Sequence, residues 1–137
     1  DHSGQEPKGR GMSFIGLELG TSALKAIVLD DKQQVLAEHR VPLTVQRPHD
    51  GWSEQDPQSW CDATMEALQA LAAQVDMAAV EGIGLAGHQH GATLIGADDH
   101  PLRPCMLWND TRAYAEAAAM DAMADFRHLC RLHRAQG

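Results

Sequence analysis

Residues 14–29 read FIGLELGTSALKAIVL. Two apolar runs of strand composition, Phe14–Leu19 and Leu24–Leu29, are joined only through Gly20, Thr21, Ser22 and Ala23. A link that short makes the second run fold back antiparallel on the first, because a parallel return needs a long crossover. Asp30-Asp31-Lys32 is a turn signal, and Val35–Val41 alternates loosely as a third strand. The chain is thereby committed early to a meander of hairpins. A loop over residues 42–51 follows. Asp56 is expected as an N-cap with Pro57 as the first helical residue. Trp60, Thr64, Ala67, Leu68, Leu71 and Val75 then recur at helical spacing. GWSEQDP, residues 51–57, reads simply as the start of that helix with a partly buried Trp52. Short strands are expected over Val80–Leu85, Ala92–Ile95 and Cys105–Trp108, and a last helix from an N-cap at Thr111 to Ala124. Strands, helix, strands, helix is an α/β order with a mixed sheet.

Composition narrows the function classes. The 137 residues are 44% apolar and 22% charged, the balance of a globular domain. A formal net charge of −8 argues against nucleic acid and anionic membranes as partners. An anionic ligand must therefore be held by a local site. Cys61, Cys105 and Cys130 form no CxxC pair, which fits a reducing compartment. With no apolar run long enough to cross a membrane and no signal peptide, a cytoplasmic location is expected. Residues 1–11 lack any large apolar side chain and read as a disordered leader, with Met12 as the natural start. Residues 126–137 turn abruptly to Arg and His and read as a divergent or out-of-frame tail, leaving 12–125 as the domain.

Four stretches carry candidate chemistry. GLELGTSALK, residues 16–25, packs a carboxylate, a glycine turn, two hydroxyls and a lysine into ten positions. A glycine-bearing turn can aim backbone N–H groups at phosphate oxygens, with Thr21 and Ser22 adding donors. Lys25 adds positive charge and Glu18 can position magnesium. The same residues also suit an ordinary hairpin turn. GIGLAG, residues 82–87, matches GxGxxG, but its glycines fall inside a strand that does not lead into a helix, so a dinucleotide site is rejected. GHQHGA, residues 87–92, could ligate a metal through His88 and His90, hydrogen-bond a polyhydroxyl ligand, or be a solvated loop. LWNDTR, residues 107–112, offers the Trp108 face and polar neighbours to a sugar, or is a core tryptophan followed by a helix cap.

In this order, GLELGTSALK, SEQDPQSW, GIGLAGHQHGATL and LRPCMLWNDTRA resemble the amino-terminal part of FGGY-family carbohydrate kinases, and within them the xylulokinase group. The similarity runs from about Phe14 to Met123. It implies an actin-like ATPase domain with a ribonuclease-H-like core, first domain only and incomplete. It also implies ATP and Mg2+ as cofactors and D-xylulose as the sugar, with ribulose, fuculose or glycerol kinases and a non-catalytic sugar-binding relative as alternatives. Gly20, Thr21 and Ser22 match the family's first phosphate motif, and Lys25 is assigned to the phosphate beside them. Glu18 stands at the magnesium position, where the family usually has aspartate. Gln89 and His90 fall at the sugar-contacting positions, where His90 and Gly91 match, and Trp108, Asn109 and Asp110 match the second sugar-side segment. His88 and Gln89 depart from the group's usual Gln-Met-His-Gly. The resemblance puts the catalytic aspartate and the adenine pocket in a second kinase domain beyond this chain. The chain alone is therefore expected to be inactive, and a homodimer stays open for the full-length protein.

Overall fold

The computed structural model describes residues 11–123. Apart from Gly11, the expected leader lies outside them, as does the tail from residue 126. Three strands open the fold: β1 (Ser13–Leu19), β2 (Ala23–Asp30) and β3 (Val35–Pro42). They form the expected antiparallel meander, with Leu19 opposite Leu24 and Ala26 opposite His39. A two-residue strand, β4 (Glu54–Gln55), precedes helix α1 (Pro57–Ala72). A short 3-10 turn, Met77–Ala79, leads into β5 (Val80–Gly87). β5 returns parallel to β1, giving the sheet order β3-β2-β1-β5. β6 (Cys105–Met106) pairs antiparallel with β4 in a second small sheet, and α2 (Tyr114–Asp121) follows.

Helix α1 starts where the sequence places it. The Asp56 carboxylate accepts the Gln58 N–H at 2.9 Å, satisfying one orphan donor of the first turn, and Pro57 occupies N1. Its buried face is Pro57, Ala63, Ala67 and Leu71. Ala67 and Leu71 are on the expected stripe, whereas Trp60, Thr64 and Leu68 at its edges are only half-buried. That face packs on Ile15, Leu17, Leu24, Ala26, Val28, Ala37 and Val41 of the meander. Alanines on both sides let helix and sheet approach closely. The helix covers β2 and β3, so Ile83 and Leu85 of the edge strand β5 stay 58% and 77% exposed.

Two expectations are corrected. Residues 92–95 do not form a strand; Ala92 and Ile95 make only isolated bridges, to Met106 and Pro101. Thr111 does not cap the last helix. Its hydroxyl donates to the Gly51 carbonyl at 3.0 Å, and α2 begins at Tyr114 behind Ala113, which provides no side-chain cap. No helix of the described residues is long and apolar enough to cross a membrane.

The buried face of α1 generates a stability prediction. Leu71 is 0% exposed, so Leu71→Ala should cost about 2–5 kcal/mol. Met65→Ala on the outer face should stay within about 0.5 kcal/mol. Denaturant unfolding of the two variants checks both.

Candidate functional site

β1 and β5 run parallel, so their carboxyl ends lie side by side. There each strand must release its chain, and backbone groups are left free to meet a ligand. A cleft of about 810 Å³ opens at this end, lined by Glu18, Leu19, Gly20, Thr21, Leu85, Ala86, Gly87, His88, Gln89, His90 and Trp108. Gly87 is required for this join: a Cβ there would stand 2.9 Å from the Leu19 Cβ.

The turn after β1 is closed by Gly20, whose N–H donates to the Ala23 carbonyl at 2.9 Å. The Ser22 carbonyl accepts from Leu43 and the Thr21 carbonyl from the Gln55 side chain. Among the described residues no hydrogen bond is donated by the Thr21 or Ser22 N–H. A turn with free N–H donors and a hydroxyl at a cleft wall fits a phosphate group. Glu18 offers one carboxylate beside it, enough for a magnesium ion held chiefly by phosphates and water. No group of three or more His, Cys, Asp or Glu among the described residues could hold a metal ion, so the two-histidine loop lacks a protein site of its own.

Lys25 does not line the cleft. It faces Glu18 across the hairpin register, with 3.5 Å between Nζ and Oε2, and both side chains are more than half exposed. Such a pair adds little stability. Ser22 sits in the turn but also outside the cleft lining.

Across the cleft, His90 has φ 62°, in the left-handed region that histidine tolerates better than most residues. Trp108 is 64% exposed at the cleft wall, not a core residue. Asn109 and Asp110 do not line the cleft. The Asn109 Oδ1 is buried with no partner among the described residues.

Asp110 belongs to a buried polar cluster that the sequence did not reveal. Its Oδ1 accepts from Arg112 Nε at 2.9 Å, its Oδ2 from Arg112 Nη2 at 2.6 Å and from the Ser53 N–H at 2.8 Å. The Arg112 guanidinium holds this carboxyl well below the usual carboxylate range, against an upward push from burial. Arg112 in turn is raised above its ordinary value by the Asp110 bond. Its guanidinium lies 3.6 Å over the Trp52 ring. Glu54 Oε1 accepts a contact from Arg103 at 2.8 Å and one from Arg112 at 2.7 Å. Gly51, at φ 75°, completes the join: a Cβ would lie 2.5 Å from Thr111 Oγ1. The stretch read as a plain helix start thus anchors residues 107–111, the segment that carries Trp108. Three successive polar residues, Ser53-Glu54-Gln55, between a tryptophan and a helix cap were the available signal.

Residues 13–131 match the amino-terminal domain of the FGGY family of carbohydrate kinases. Xylulose kinase of Klebsiella pneumoniae is 47% identical over 108 residues, covering 79% of this chain and 22% of the relative. A solved structure from Brucella ovis, described as a xyloylose kinase, aligns with TM-score 0.77 at 51% identity over 80% of this chain and 24% of its own. The xylulose kinase of Rhodospirillum rubrum gives TM-score 0.77 at 30% identity, covering 80% and 23%. The chain therefore belongs to the FGGY family of carbohydrate kinases and carries the actin-like ATPase fold of its first domain. It spans less than a quarter of the length of these relatives.

Two groups make stability depend on pH in the same direction. Burial lowers the His88 pKa, so the unfolded histidine takes up a proton first as pH falls below about 6.5. The Asp110 carboxyl is depressed in the native state, so its contribution is complete above about pH 4 and lost below it. The melting temperature should fall in two stages on acidification. His88→Gln should remove the upper stage and Asp110→Asn the lower, as calorimetry at several pH values would show.

Proposed function

We propose that this chain is the amino-terminal part of a kinase that transfers the γ-phosphate of ATP to D-xylulose, giving D-xylulose 5-phosphate. One observation carries the reading: a single cleft joins the phosphate-type turn (Glu18, Gly20, Thr21) to a polar loop (Gln89, His90) and an exposed indole (Trp108). Phosphoryl transfer needs little from the protein beyond positioning and charge stabilisation, and these are the groups for it.

On this reading the Thr21 N–H and hydroxyl bind phosphate oxygens, with the Ser22 N–H beside them. Glu18 would hold Mg2+, which supplies charge neutralisation on the phosphates when bound. Lys25 balances the Glu18 carboxylate from across the hairpin instead of reaching into the cleft. Gln89 and His90 hydrogen-bond sugar hydroxyls, and the Trp108 ring covers a C–H face of the sugar. Asp110 acts from behind, by fixing the Trp108 segment on Ser53 and Arg112. The group that takes the proton from the substrate hydroxyl, and the adenine pocket, belong to a second domain. Residues 12–125 are the first.

The protein expressed from its complete reading frame should phosphorylate D-xylulose with ATP and Mg2+, faster than L-ribulose, L-fuculose or glycerol. Equal or higher rates on another of these sugars would reassign the substrate. Thr21→Ala should lower kcat about 100-fold. Trp108→Ala should raise KM for the sugar about tenfold while leaving KM for ATP unchanged.

A further inference from the structure

Gln55 is 0% exposed and does not line the cleft, yet it touches both of its walls. Its Nε2 donates to the Thr21 carbonyl at 3.0 Å and to the Thr44 carbonyl at 3.3 Å. Its Oε1 accepts from Trp60 Nε1 at 2.8 Å and stands 3.2 Å from His88 Nε2. An indole N–H can only donate, so the oxygen end of the carboxamide must face Trp60. That oxygen can only accept, so His88 Nε2 must carry a proton. The carboxamide then uses its two N–H groups and both lone pairs, with none left for water. The His88 ring also packs at 5.2 Å from the Trp60 ring, which limits its rotation.

We propose that Gln55 is a positioning residue that fixes the phosphate turn against the polar loop and locks His88 in its Nε2–H form. The functional consequence rests on the kinase reading, in which those two walls hold the two reactants. Thr21 is held through its carbonyl, so the Ser22 N–H, opposite that carbonyl in the same trans peptide plane, points away from the bond that anchors the turn. His88 is held through its ring, one residue before Gln89. A single buried side chain thereby sets the separation across which a phosphoryl group would travel, and a displacement of about 1 Å there can cost about 100-fold in rate.

The test is nitrogen-proton NMR of the imidazoles and amides in this chain at pH 7.5. The expected result is a His88 ring protonated at Nε2 alone, with that proton slow to exchange. Gln55→Glu keeps the size and the acceptor but loses both donors. It should shift the Thr21 and Ser22 amides while leaving Leu68 and Leu71 in place. Gln55→Leu should release His88 into a mixture of tautomers; should that variant not fold, Gln55→Glu alone decides. A His88 ring protonated at Nδ1, or Thr21 and Ser22 amides unmoved in Gln55→Glu, would overturn the proposal. In the protein from the complete reading frame, Gln55→Glu should lower kcat about tenfold or more with each KM within about threefold. A loss confined to the fraction of folded protein, with kcat per folded molecule unchanged, would also overturn it. Absence of sugar phosphorylation by the unaltered protein would remove the kinase reading and leave the NMR result standing.

Discussion

β1 is paired along its whole length on both sides, antiparallel to β2 and parallel to β5. The rest of the molecule depends on that double pairing. The antiparallel partner brings the chain back through the Gly20-Thr21-Ser22 turn at the end of β1. The parallel partner delivers the Gly87-His88-Gln89-His90 loop to the same end. Neither segment would make a site alone. A strand that turns back and a strand that arrives by crossover meet at one edge, where neither has ladder partners left for its backbone groups.

Beneath that edge the protein uses a polar floor where an apolar one would be simpler. Ser53, Glu54 and Gln55 are all buried. Burying charge is costly unless each charge is paired and hydrogen-bonded. Here Glu54 is met by Arg103 and Arg112, and Asp110 by Arg112 and a backbone N–H. Apolar side chains would fill the same volume, but they would not fix direction. The bonds between Asp110 and Ser53 and between Thr111 and Gly51 join residues 57 and 60 positions apart. Trp108, two residues before Asp110 in the same segment, lines the cleft and is 64% exposed.

The sequence was most legible where the controlling interactions are local. The meander over residues 13–42 and the Asp56 cap rest on neighbours a few positions away, and their motifs state them. The Thr111 cap failed because its hydroxyl was already used by Gly51, a partner no window around Thr111 contains. The strand over 92–95 dissolved into single bridges because its partners, Met106 and Pro101, belong to different segments. Glu18, Gly20, Thr21, Gln89, His90 and Trp108 come together at one cleft, while Ser22, Lys25, Asn109 and Asp110 stand around it. The register of the first hairpin decides this for Lys25, since it sets that residue opposite Glu18 and not in the turn. Gln55 was silent in the sequence because its four partners lie 34, 11, 5 and 33 residues away.

Helix α1 has two duties. Ala63 and Ala67 in its middle let it lie close on Ala26 and Ala37 of the sheet, while Trp60 in its first turn reaches Gln55. The helix is therefore a lever whose fulcrum is a patch of the smallest side chains in the core. A methyl group added at that patch would lift the helix from the sheet, and the rigid rod would carry the movement to Trp60. Volume errors in the interior would then be read out at the cleft as misalignment, so this domain should lose the alignment of its two cleft walls before it loses its fold.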